Sequence, residues 1–137
     1  MVNLYMIVSV IGGVVLLIIG EWNAGIQMLL LLMGIDYIMG LLLAIVFHKS
    51  KQTEEGGLES RACFKGLCRK SAILACVIIA NYLDIISRSN YIRSAIITGF
   101  CINESISIIE NAVLMDIPVP KNLQKMLEVI KKSKDSE

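Results

Sequence analysis

Histidine occurs once in this chain, at His48, and proline only at Pro118 and Pro120. The lone histidine has no nucleophile near it in sequence, and there is no HExxH, no GxSxG and no glycine loop of the kind that cradles phosphate. Hydrolase and nucleotide-binding chemistry are therefore not expected, and any acid–base work would fall to carboxylates alone. Cysteine is sparse too: Cys63, Cys68, Cys76 and Cys101 form no CxxC and stand apart from His48, so no metal centre and no cofactor are expected. Cys76 and Cys101 sit in apolar runs and read as small hydrophobes, whereas Cys63 and Cys68 lie among basic residues. Net charge is only +1, which gives no reason to expect a nucleic-acid partner.

What is abundant is apolar surface. Hydrophobic residues make up 55% of 137 residues and mean hydropathy is +0.69. A chain this short has too little interior to hide that much apolar surface from water. A lipid bilayer would cover it.

Four apolar segments carry this composition. Residues 4–20 hold no charge; residues 24–47 are broken only by Gln27 and Asp36; residues 71–87 contain Asp84; residues 89–115 contain Arg93, Glu104 and Glu110. Crossing about 30 Å of hydrocarbon takes about 20 helical residues, so the second and fourth are long enough and the other two lie near the lower limit. None alternates in the manner of a barrel strand, and backbone groups in lipid must be satisfied within the segment, so all four are expected to be helices. The first segment lacks a basic n-region, and Gly20-Glu21-Trp22-Asn23 offers no small-x-small cleavage site. It reads as a retained helix followed by a tight turn, with Trp22 at the lipid–water boundary.

Charge placement gives the orientation. Eleven of the thirteen Lys and Arg residues fall in two regions, 48–70 and the tail beyond Pro120; the other two are Arg88 and Arg93. The positive-inside rule puts both regions in the cytoplasm, where cysteine thiols stay reduced and no disulfide is expected. The expected architecture is all-α: a single membrane domain over 1–137 built of helical hairpins, with four spans and both termini inside. Three spans, with the first segment interfacial, is the fallback. Region 48–70 is a cytoplasmic loop containing the flexible QTEEGG stretch, and 116–137 a cytoplasmic tail. In that tail Leu123, Met126, Leu127 and Ile130 recur at helical spacing after the prolines. They describe a short amphipathic helix that lies on the anionic inner leaflet or docks on the protein's own loop.

The groups able to carry function are the polar ones at membrane depth, since a charge facing lipid costs at least a few kcal/mol. At 100° per residue, Arg93, Glu104 and Asn111 fall within about 20° of one line, and Asn103, Ser107 and Glu110 widen it to an arc of about 120°. The arc either packs inside the bundle, where Asp84 is four residues from Arg88 and within reach of Arg93, or lines a water-filled opening formed by several subunits. Asp36, Asn81 and Asp84 complete the set of membrane-buried polar residues. For Asp36, the flanking Gly34 and Gly40 suggest close helix packing with the carboxylate bonded to a neighbour.

Several phrases resemble the toxin-secretion and phage-lysis holins, a family of small bacterial and phage membrane proteins. They are Asp36-Tyr37-Ile38-Met39-Gly40 with Ala44 after it, then Ser60, Lys65-Gly66-Leu67 and Arg69-Lys70, and above all the run from Asn103 to Asn111 (NESISIIEN), followed by Pro118-Val119-Pro120 and Leu123. The similarity extends from about Gly20 into the tail. Asp116 departs from it, standing where the family tends to have a small residue such as glycine. The resemblance implies a homo-oligomer in the bacterial cytoplasmic membrane that opens lesions for a murein hydrolase or a toxin. Residue pattern alone leaves open a small multidrug-type proton-coupled exporter, disfavoured because the first segment holds no carboxylate before Glu21, and a membrane scaffold without transport.

Overall fold

The computed structural model describes residues 2–136 and is helical throughout its ordered elements. Helix α1 spans Leu4–Ile19, α2 Ala24–Leu42, α3 Ser60–Ser87, α4 Ile92–Leu114 and α5 Lys121–Asp135. Three helical stretches are long and apolar enough to cross a membrane: Ala24–Phe47, Ser60–Ser87 and Ile92–Leu114. At 16 residues, α1 would reach only about 24 Å at 1.5 Å per residue, short of a full hydrocarbon core.

Local chemistry sets the element ends. The Asn23 side chain accepts a hydrogen bond from the Ile26 amide at 3.2 Å and so caps α2. At its other end α2 passes into a π-helical turn, Leu43–Phe47, which His48 closes in the left-handed region at φ 51°. The following loop folds back through Gly56 at φ 74°, where an added Cβ would collide with the His48 carbonyl, so only glycine fits there. Arg88 (φ 53°) ends α3 in the same left-handed manner. Asp116 (φ 60°) and the prolines that follow turn the chain from α4 into α5.

Helix α3 departs from the sequence-based expectation. It begins at Ser60, not near residue 71, so the connecting loop shrinks to 48–59. Arg61, Lys65, Arg69 and Lys70 lie on helix, and at 28 residues α3 is roughly 42 Å long, exceeding the hydrocarbon thickness and carrying its basic end beyond it. Helix α4 starts three residues later than expected, because residues 89–91 form the turn.

The core is small. Ile26, Leu29 and Met33 of α2 meet Ile73 and Val77 of α3 and Ile97 of α4. At Gly25 α2 lies close to α4, where an added Cβ would sit in ordinary contact with Ile97 at 3.5 Å. Gly34 and Gly40, expected to mark close packing, have open space where a Cβ would sit, Gly34 on an exposed face and Gly40 at the wall of a cavity, so neither is needed for helix contact among the described residues. Helix α1 leans on α3 and buries no residue. Within the most apolar stretch of each long helix no more than 28% is buried. This is the surface of a membrane protein, in which lipid covers what the chain leaves bare.

Candidate functional site

Both helical hairpins bring their tight turns to one end of the molecule, and polar side chains lock that end. The Asp84 carboxylate, buried near the end of α3, accepts hydrogen bonds from the amides of Ile92 (3.0 Å) and Arg93 (2.9 Å) and from the Ser89 hydroxyl (2.5 Å). It thereby caps α4 from a different helix, supplying acceptors for first-turn amides that have none within α4. The Arg93 guanidinium reaches the other way. Its Nε donates to the Ile19 carbonyl at 2.9 Å and a terminal nitrogen donates to the Glu21 carbonyl at 2.7 Å, satisfying the end of α1. Asn81 donates to the Ile18 carbonyl at 3.3 Å. Arg93 and Asp84 thus meet through a main-chain amide, and Arg88 stays exposed.

A second polar cluster lies deeper, at the junction of α2, α3 and α4. Lys70 Nζ sits 2.6 Å from Asp36 Oδ2 and also bonds Glu104 Oε2, so one ammonium joins two carboxylates from different helices. Asn111 donates to Asp36 Oδ1 at 3.2 Å. Glu104 and Asn111 are 4% and 2% exposed. By helical rise Glu104 lies roughly 18 Å along α4 from Ile92, well inside the span. The Lys70 stem reaches from the basic end of α3 toward it, as a long side chain does when its charge has no nearer partner. Asn111 Oδ1 is buried and accepts no hydrogen bond from the described residues.

Beside this cluster is a cavity of about 130 Å³, covered by loop residues 50–53 and 57–59. Ser107 and Asn103 of α4 and Tyr37 of α2 also border it.

The third cluster ties the tail to α4. Glu110 pairs with Lys131 at 2.7 Å and with Lys51 of the loop at 3.2 Å, and Lys134 donates to Asn103 at 2.6 Å. Helix α5 therefore runs back along α4 with Leu127 buried and its lysines exposed, and Lys49 joins the turn through Asp116 at 3.0 Å.

The polar arc of α4 is thus divided. Arg93, Glu104 and Asn111 face the other helices of the same chain, Ser107 borders the cavity, and Asn103 and Glu110 meet the tail. Asp36 joins Glu104 and Asn111, whereas Asn81 and Asp84 belong to the opposite end. Sequence reasoning counted Lys70 as a loop charge and as part of the family-like Arg69-Lys70 pair, and missed it as a partner of the membrane-depth carboxylates. The signal was its position as the last basic residue before an apolar run, within side-chain reach of membrane depth.

A family profile described as the bacteriophage holin family matches residues 13–132. Similar proteins include an uncharacterized protein of Halalkalibacterium halodurans, 34% identical over 90% of this chain and 90% of that protein. An uncharacterized protein of Listeria innocua is 36% identical over 92% of this chain and 86% of its own length. One from Clostridium perfringens is 29% identical over 85% of this chain and 84% of that protein. No solved structure matches the chain.

Proposed function

Because the chain belongs to the bacteriophage holin family, we propose that it accumulates in a bacterial cytoplasmic membrane, self-associates and opens lesions through which a murein hydrolase or a toxin leaves the cell. The observation that carries this reading is the family match itself, which extends from α1 through α5. Two features support it. The arc of α4 places Arg93, Glu104, Glu110 and their amide neighbours on one helix, more polar groups than a lone span in lipid tolerates. The loop, the start of α3 and α5 together hold eleven of the thirteen basic residues, at the end opposite the two tight turns.

In this reading four helices span, α1 being the shortest, and both termini lie in the cytoplasm with the basic end. The single-chain arrangement is the closed form. Lys70, Lys51 and Lys131 neutralise the carboxylates that would otherwise face lipid, and opening exchanges those partners for lumen water once copies assemble. The polar residues Arg93, Asn103, Glu104, Ser107, Glu110 and Asn111 are the candidates to meet that water. Induced expression with a potential-sensitive dye tests the proposal: growth should stop and the potential collapse abruptly after a delay. Sustained accumulation with an intact potential would exclude lesion formation and favour an exporter or a scaffold.

A further inference from the structure

The basic residues of the loop and of the start of α3 differ in what holds them. Lys49, Lys51 and Lys70 each pair with a carboxylate. Arg61, Lys65 and Arg69 are exposed and pair with none among the described residues. The acids close to them in sequence do not take them up. Glu54 and Glu55 stay exposed in the loop, and Glu59 and Arg69 both border the cavity without forming an ion pair. Spaced four residues apart, the three cations form a ladder on α3 that rises about 6 Å and turns about 40° per step. The ladder starts about 130° from the side formed by Ile73, Val77, Ala80 and Asp84, through which α3 packs into the bundle. Arg69 stands at the border between the two faces.

Depth gives the ladder its partner. Counted from Ser87, at the end with the tight turns, Arg69, Lys65 and Arg61 lie roughly 27, 33 and 39 Å along α3, against about 30 Å of hydrocarbon. Arg69 is therefore at the edge of the hydrocarbon, Lys65 at the level of lipid phosphates and Arg61 just beyond. Helical side chains lean toward the N-terminus, here out of the hydrocarbon, so Arg69 and Lys65 reach toward the same layer. Phe64 and Leu67, each more than half exposed, flank the ladder with apolar surface. Below it on the same face the exposed residues Cys68, Ala72 and Cys76 are small, leaving the helix slim where an acyl chain would run. Water would leave Phe64 and Leu67 bare, and zwitterionic lipid would leave three cations without counter-charge. An anionic phospholipid answers both, its phosphodiester taking a two-point contact from a guanidinium and its chains covering the apolar flanks. We propose that Arg61, Lys65 and Arg69, with Phe64 and Leu67, form a binding site for the headgroup of an anionic phospholipid at the basic end of α3. The site rests on α3 spanning the bilayer, as the proposed function does, but not on lesion formation.

Cys68, exposed beside the ladder, serves as the probe. Full-length protein with Cys63, Cys76 and Cys101 replaced by serine is labelled at Cys68 with a fluorophore and reconstituted in phosphatidylcholine vesicles. The vesicles carry an equal fraction of chain-spin-labelled phosphatidylglycerol or chain-spin-labelled phosphatidylcholine. The anionic lipid should quench Cys68 about two-fold or more better than the zwitterionic one. A label at Val10→Cys on the exposed α1, in a chain without other cysteines, should be quenched equally by both. Neutralising the ladder with Arg61→Gln, Lys65→Gln and Arg69→Gln should abolish the preference at Cys68. The same loss of charge on α5, through Lys121→Gln, Lys125→Gln and Lys132→Gln, should preserve it. Equal quenching of Cys68 by the two lipids overturns the proposal. So does an equal preference at Val10→Cys, or an equal loss in both triple variants, since either means attraction to the protein as a whole. The comparisons at Cys68 and Val10→Cys keep the ladder intact, so they decide even where the neutralised chain fails to accumulate. Quenching at neither position by either lipid would overturn the spanning reading and this site together, whereas quenching at both without preference overturns the site alone.

Discussion

At the scale of single residues, the polar groups inside the spans divide into those that hold backbone ends and those that hold each other. Asp84 is of the first kind. Asp84→Ala would leave the Ile92 and Arg93 amides without acceptors at a buried helix start, a loss of about 1–2 kcal/mol by analogy with N-cap deletions. Hydrogen exchange at those two amides should accelerate at least several-fold, while amides in the middle of α4 change little. Lys70 is of the second kind. Lys70→Met strands Asp36 and Glu104 side by side in low dielectric, at a cost of about 3–5 kcal/mol, enough to lower membrane abundance sharply. Adding Asp36→Asn and Glu104→Gln should restore abundance, and failure of that rescue would mean that Lys70 matters for something other than its charge. Sequence made the polar positions legible but not their pairing. Spacing of four along one helix singled out Asp84 and Arg88, whereas the bonds actually formed join residues 34 and 75 positions apart, and such pairs depend on how helices lie together.

At the scale of elements, the reading of helices from apolar runs succeeded where burial and periodicity agree and failed where a helix leaves the membrane. The residues 60–70 are helical but strongly basic, so a scan for apolar segments starts α3 late, by about the thickness of one hydrocarbon leaflet. Basic residues have good helix propensity, and nothing in that stretch breaks a helix except the tolerated Gly66. The tail poses a sharper question. Lys134 meets Asn103, which lies midway along α4, so docking of α5 brings a lysine toward the centre of a span. A pair of substitutions, Asn103→Cys and Lys134→Cys in a background without other cysteines, should give a disulfide-linked species under mild oxidation of membranes. Unlinked protein at normal level would instead place α5 flat on the leaflet, the other arrangement its alternating apolar and lysine positions allow.

At the scale of the whole molecule, the two ends are chemically unlike. One is closed by short turns whose main-chain groups bond the Asp84 carboxylate and the Arg93 guanidinium, the other by lysines from the loop and from α5 around Glu110. A reporter that is active only outside the cytoplasm should therefore be silent after Ser60 or Glu137 and active near Asn23 or Asn90. Activity after Glu137 would invert the arrangement, and silence at Asn23 alone would leave three spans. Self-association is best followed through Cys76, which is exposed on α3, since Cys101 is half-buried toward the core. With the other cysteines replaced, a thiol crosslinker should yield a ladder of oligomers. Monomer alone at high expression would argue for a bundle that is complete by itself.

The division of the α4 arc lets the opening step be tested without destroying the fold. Glu110 is held at the basic end by two lysines, one of them more than half exposed, so its ion pairs are worth little to stability. Glu110→Gln should then leave membrane level and the crosslinked ladder unchanged. It would still loosen both the 48–59 loop and α5 from α4, because the same carboxylate joins Lys51 and Lys131. If these contacts hold the closed form, depolarisation after induction should come earlier than in wild type, and reversing charge at the other partner with Lys131→Glu should act in the same direction. Glu104→Gln works at a different place, removing one of the two carboxylates that share Lys70 while leaving the loop and tail attached. Its effect on timing should therefore add to that of Glu110→Gln in the double variant, as expected for sites that share no direct partner. Unchanged timing in Glu110→Gln at normal abundance would remove the loop and tail contacts from the closing mechanism and leave the Lys70 cluster as its remaining candidate.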